Sequence, residues 1–124
     1  MEPAVIDLGK HRRGSKWPAW GIGGMSDELG GVVGPPCLSC RLQFQLKGKE
    51  TLGYELSSIP APGKGTIVID DPVLYVFSIP EQALPLAVGV WEWEFETFET
   101  ADATGLSDTW LCGEIEVTKD IPNG

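Results

Sequence analysis

The sequence predicts an all-β protein, an antiparallel sandwich of about seven short strands preceded by an extended N-terminal arm. Three observations carry this. First, VGVWEWEFETF (88–98) alternates without a break: Trp91, Trp93, Phe95 and Thr97 fall on one side, and Glu92, Glu94 and Glu96 on the other. Second, LSCRLQFQL (38–46) does the same, with Cys40, Leu42, Phe44 and Leu46 against Ser39, Arg41, Gln43 and Gln45. Successive side chains of a strand point to opposite faces, so a period of two marks strands with one buried and one wet face. Third, 16 Gly and 10 Pro among 124 residues cut the chain into short runs and disfavour long helices.

One domain is expected at this length. Folding buries roughly two-thirds of the unfolded surface in a chain of this size, so neither metal nor disulfide is needed for stability. Residues 1–37 read as an arm and irregular segment, and 38–124 as the sandwich domain. The arm holds WPAWGIGG (17–24) and DELGGVVGPP (27–36), weakly periodic text that predicts loops and one or two short strands.

The remaining elements follow in order. LKGKE (46–50) is a turn that returns TLGYEL (51–56) beside the strand 38–46. PAPGKG (60–65) is a loop, and TIVI (66–69) a short strand broken by DDP. VLYVFSI (73–79) is a strand with Val73, Tyr75, Phe77 and Ile79 inward. In IPEQALP (79–85) a proline followed by Glu and Gln predicts one helical turn, stopped by Pro85. ADATGLSD (101–108) then links 88–98 to a last strand, TWLCGEIEVT (109–118), in a hairpin with a long loop.

The hairpin has a predicted register. Leu111, Gly113, Ile115 and Val117 form the apolar face of the last strand; Trp110, Cys112, Glu114 and Glu116 form its solvent face. Setting Phe95 opposite Leu111 puts Trp93 over Gly113, Trp91 beside Ile115 and Thr97 beside Thr109. Only Glu92 and Glu114 then face each other. Sliding by two creates two like-charge pairs, each unfavourable by about 0.2–1 kcal/mol. The glutamates are thus read as a hydrated face and the rings as core.

Charge is unevenly placed. Residues 1–54 carry seven Lys/Arg and five Asp/Glu; residues 55–124 carry two and 13, and the whole is −9. Such a chain repels phosphates, which excludes nucleic acid as an expected partner. No run approaches the roughly 20 apolar residues of a membrane span. The N-terminus places its basic residues after a short apolar segment, the reverse of a secretory signal, and reads as a cytosolic start. The basic knot KHRRGSK (10–16) suits an acidic surface, for instance another copy's acidic half.

The candidate chemistry is thin. CLSC (37–40) evokes zinc, yet the chain has three Cys and one His, His11, and Cys40 alternates into an apolar face. A redox CxxC opens a helix, whereas this one leads into a strand. A Cys37–Cys40 or Cys40–Cys112 disulfide stays open, with cytosolic production against it. His11 has no catalytic partners in sequence, and Ser15, Ser26 and Ser39 lie outside any nucleophile elbow. GIGG and GGVVG lack the strand-to-helix context of a phosphate cradle. Asp70, Asp71, Asp102 and Asp108 sit in loops without EF-hand spacing. The expectation is a non-enzyme with no cofactor and no metal.

Several segments, taken in order, resemble a group of small tailed-bacteriophage virion proteins encoded near tail, baseplate or fibre genes. They are RRGSKW (12–17), RLQFQLK (41–47), YELSS (54–58), GTIVID (65–70), IPEQALPLAVGVWEWEFE (79–96) and GEIEVTKDIP (113–122). Two features depart from the pattern: its basic-Gly element more often reads RGD or RGT, and CLSC is no part of it. The resemblance implies an immunoglobulin-like β-sandwich acting as a structural component of the tail, baseplate or fibre attachment. Its partners would be other virion proteins or copies of itself. It would be found in the virion, after assembly in the cytoplasm of a host bacterium.

Capsid decoration and a carbohydrate-binding sandwich are the alternatives. The expected partner-contact residues are Arg12, Arg13, Lys16, Trp17 and Trp20 in the arm, together with Trp110, the candidate sugar platform by its solvent-face parity. Trp17 and Trp20 either dock into a neighbour or fold back over the chain's own core; both readings stay open at this point.

Overall fold

Period-two alternation shapes the long strands, and no helix occurs among the described residues. The computed structural model describes residues 4–13, 16–23, 35–49 and 53–119. Its strands are β1 (Ala4–Arg12), β2 (Lys16–Trp17), β3 (Trp20–Ile22), β4 (Ser39–Leu46), β5 (Gly53–Ser57), β6 (Gly65–Thr66), β7 (Val68–Asp71), β8 (Val76–Ile79), β9 (Gln82–Ala83), β10 (Gly89–Phe98) and β11 (Ser107–Thr118). A six-stranded sheet runs β1-β11-β10-β4-β5-β6; a three-stranded sheet runs β3-β8-β7, and β2 pairs with β9.

β10 is the spine of the large sheet, antiparallel to both β4 and β11. Its inner side chains Trp91, Trp93 and Phe95 are all buried, and so are Leu42 and Phe44 beside them on β4. The small sheet covers this face. Phe77 of β8 meets Phe95 edge-on, with ring centroids 4.9 Å apart. Aromatic burial on this scale is the main apolar contribution to a core of this size.

The predicted hairpin register is the observed one along most of its length: Trp91↔Ile115, Glu92↔Glu114, Trp93↔Gly113 and Phe95↔Leu111. It fails past Phe95. Glu96 pairs with Thr109, so Trp110 is an extra residue, a β-bulge, and Thr97 faces Asp108 rather than Thr109. The bulge turns Trp110 inward. Its ring packs edge-on against Tyr75 at 5.7 Å, and its indole Nε1 donates to Thr97 Oγ1 at 2.8 Å.

Three further expectations are corrected. Residues 79–85 form no helical turn. The Gln82 side chain takes the place of a neighbouring strand for Thr66, accepting from its N–H (2.9 Å) and donating to its carbonyl (2.8 Å), while Gln82–Ala83 pairs with Lys16–Trp17. The strand expected from Val73 starts only at Val76, because Asp71 Oδ1 accepts from the N–H groups of Val73 (2.9 Å) and Leu74 (3.0 Å) and holds 72–75 as a turn. Val73 is therefore exposed. Tyr75 is brought inward at φ 55°, its hydroxyl donating to the Pro35 carbonyl. Finally, the described parts of 1–37 contain three strands rather than one or two. The longest of them, β1, is an edge of the large sheet and parallel to β11.

The seat of β1 depends on Gly113. A Cβ there would overlap the Ile6 carbonyl oxygen and come within 3.1 Å of Trp93 Nε1. Gly113→Ala is expected to push β1 off β11 and to destabilise the fold by about 1–3 kcal/mol, the usual cost of overpacking. Urea unfolding measures the loss. Faster amide exchange across 4–12, with β4 and β10 still protected, places it on the edge strand.

Candidate functional site

The outer face of the large sheet is the candidate surface, because β1, β11 and β10 bring Asp7, Glu92, Glu94 and Glu114 together there. Val5 and Asp7 of β1 pair with Cys112 and Glu114 of β11. Glu92 and Glu94 of β10 lie opposite Gln45 and Gln43 of β4. Between them runs a shallow concavity of about 550 Å³. Glu92 and Glu94 are exposed, as the alternation predicts, and among the described residues no group of three His, Cys, Asp or Glu is placed to hold a metal ion.

The like-charge pair Glu92–Glu114 is relieved by a residue the register did not point to. Lys47 Nζ donates to Glu114 Oε2 at 3.0 Å. That hydrogen bond first, and then the charges of Glu114 and Glu92, raise the lysine's pKa above its ordinary value.

Glu96 departs from the hydrated ladder and is buried. Its Oε1 sits 3.3 Å from both Nε and Nη2 of Arg41, and its Oε2 accepts from Ser107 Oγ at 2.9 Å. The Arg41 guanidinium also lies 5.0 Å from the centre of the Phe98 ring. A buried carboxylate is tolerated when paired and hydrogen-bonded in this way. Alternation alone put Glu96 in water. The missing signal was the bulge, which shifts the register so that Ser107 pairs with Phe98 and its hydroxyl reaches Glu96.

The six expected contact residues separate. Arg13 and Lys16 are exposed, Lys16 lying 3.8 Å from Glu81. Arg12 pairs with Thr118 in the sheet, and its side chain lies outside the described residues. Trp17 folds back into the core, 5.7 Å from the Phe44 ring, and the half-buried Trp20 stacks on it at 5.9 Å. Trp110, expected in solvent, is buried by the bulge and offers no face to a sugar. Sequence reasoning missed the exposed apolar set. Val5 is 80% exposed and Leu106, just before β11, 93%. Leu38, Val68 and Ile59 border a second depression at the end of the sheets. Val5 lies in an N-terminal segment whose text is only weakly periodic and Leu106 in a loop, so no alternation marked either of them.

All three cysteines are free. Cys37 and Cys40 are buried. Burial raises the Cys37 pKa, and burial with the nearby Cys37 raises that of Cys40 from 9.0 to about 12. Such thiols are inert packing groups.

Two predictions follow from this environment. In the native protein a thiol reagent is expected to modify Cys112 alone, with Cys37 and Cys40 reacting only on unfolding; mass spectrometry of the labelled protein counts the adducts. Because the Cys40 pKa is raised on folding, its contribution is complete below pH 9.0 and is lost as pH climbs from 9.0 towards about 12. Urea midpoints should fall across that window, and Cys40→Ala should flatten the fall. Separately, Glu96→Ala is expected to cost about 1–3 kcal/mol by stranding Arg41 and Ser107. Glu92→Gln should leave the urea midpoint unchanged.

Comparison of the chain with protein-family models, with curated proteins and with solved structures gives no match.

Proposed function

We propose that the chain is a non-enzymatic structural protein of a tailed-bacteriophage particle, a tail, baseplate or fibre-attachment component that works by protein–protein assembly. The observation that carries this is β1. It is a nine-residue strand at the open edge of a six-stranded sheet, with exposed Val5 and Ile6 beside alternating charge. Among the described residues no strand pairs with its outer side, and such an edge presents unpaired backbone groups to any strand that approaches, which makes it a natural joint between subunits.

The immunoglobulin-like reading has support in the sheet orders. β11-β10-β4-β5-β6 against β3-β8-β7 matches the order G-F-C-C′-C″ against B-E-D of a variable-type sandwich. There are departures. β5 and β6 are parallel, the aromatic weight lies on β10 rather than β4, and no disulfide joins the sheets. Aromatic packing of β10 against β8 ties the two sheets together instead, an E-to-F contact where antibody domains use a B-to-F disulfide.

The test is a purified particle. Mass spectrometry is expected to find the chain in fixed copy number, and labelled imaging to place it on the tail, baseplate or fibre base. A signal over the head shell would assign it to capsid decoration instead. Absence from particles made in cells that express the chain would sink the reading.

A further inference from the structure

We propose that the outer edge of β1, which no strand among the described residues pairs with, is a self-association edge. On it a second copy of this chain pairs antiparallel about a two-fold axis at Leu8 and Gly9, setting Asp7 against Lys10 of the second copy. This deepens the assembly reading above and rests on it.

The argument begins with parity. Asp7 and Lys10 are three positions apart, so a regular strand would send them to opposite faces. β1 is not regular. Asp7 pairs with Glu114 and Lys10 with Glu116, so β1 spends one extra residue between them, and Gly9 takes φ 74°. Asp7 and Lys10 therefore share the outer face with Val5, while Ile6 and His11 share the inner register with Gly113 and Val117. In the two-fold register proposed, outer residues meet outer residues and Ile6 comes opposite His11 on the inner side. The two bulges face one another at the axis. A lone bulge spoils an edge for pairing with a regular strand. A bulge opposite its own copy keeps the register on both sides of it.

Charge selects the same arrangement. A two-fold contact repeats every pair, so carboxylate meets ammonium twice. Centring the axis on Val5 or Ile6 instead would crowd the acidic ends of both copies, with Asp7 and Glu114 of each near the joint, and leave Lys10 outside. Lys10 is available for the contact: its Glu116 neighbour is 3.8 Å away and both groups are largely exposed, so that contact holds it weakly. Asp7 is held at the edge by accepting the Gly9 N–H at 2.8 Å. The joint covers Val5 and Ile6, now 80% and 39% exposed, and makes one continuous sheet from two six-stranded ones.

Size-exclusion chromatography with light scattering on the full chain tests this. The expected result is twice the chain's mass. Lys10→Asp, and separately Asp7→Lys, should give the single-chain mass with unchanged near-ultraviolet circular dichroism. The double variant Asp7→Lys/Lys10→Asp should regain the doubled mass, which a merely misfolded single variant could not explain. A single-chain mass for the unaltered protein at its highest soluble concentration overturns the proposal. So does a doubled mass that survives Lys10→Asp, or a folded double variant that stays single. A single-chain protein that is nonetheless found in particles sinks this edge contact and leaves the assembly reading standing.

Discussion

Three strands meet at Gly113, and the space its missing side chain leaves is shared by two neighbours. Trp93 of β10 is its cross-strand partner on one side, and Ile6 of β1 on the other. The indole needs room at the middle of the core, and the Ile6 carbonyl needs to come in close. Any Cβ at 113 would overlap the Ile6 carbonyl and crowd the indole at 3.1 Å. The large sheet is therefore built outward from one position. Trp93 fixes the register of β10 against β11, and that register sets which residues of both strands are dry. Gly113 then allows β1 to close on the outside of β11. The N-terminal segment belongs to the fold through this contact, not only through its own tryptophans.

The outer face shows how an acidic sheet surface is kept compatible with folding. The register that suits the rings forces Glu92 against Glu114. The conflict is small because water screens exposed charge and because Lys47 sits over the pair. Further along the same strand Glu96 solves a different problem. There Glu96 is buried, and its carboxylate persists with Arg41 and Ser107 as partners. One sequence pattern, Glu at every second position, thus contains two environments. The difference comes from what lies above the strand.

That contrast explains what the sequence could and could not disclose. The regular strands were legible. Alternation identified β4, β10 and β11, the turn at 46–50 pointed to β5, and volume plus like-charge avoidance gave the β10–β11 register from Trp91 to Phe95. Three failures have one kind of cause, a local side-chain or backbone choice that overrides periodicity. At Trp110 a single inserted residue reversed the parity and took the candidate sugar platform into the core. At Asp71 a carboxylate capping two amides replaced a strand start with a turn. At Gln82 a side chain standing in for backbone turned an expected helical turn into strand. In the N-terminal segment Trp17 was equally suited to a neighbour or to its own core, and the ring contact with Phe44 decides it for this chain. The exposed Val5 and Leu106 had no pattern at all.

The connections between the sheets bear on what surface is left for partners. On one side the chain passes directly from β6 of the large sheet, through buried Ile67, to β7 of the small one. That crossing partly obstructs the edge it leaves. At the opposite edge the chain instead runs the full length of β1 before β2 and β3, so among the described residues the longer unpaired margin is there. Lys10 and the Gly9 bulge are devices that ordinarily protect such a margin from indiscriminate pairing. They also make it selective. A regular strand meets a kink and a charge, whereas a strand with the same kink and the complementary charge order meets neither. An edge of this kind rejects most strands and accepts few, which is the property a subunit of an ordered assembly requires.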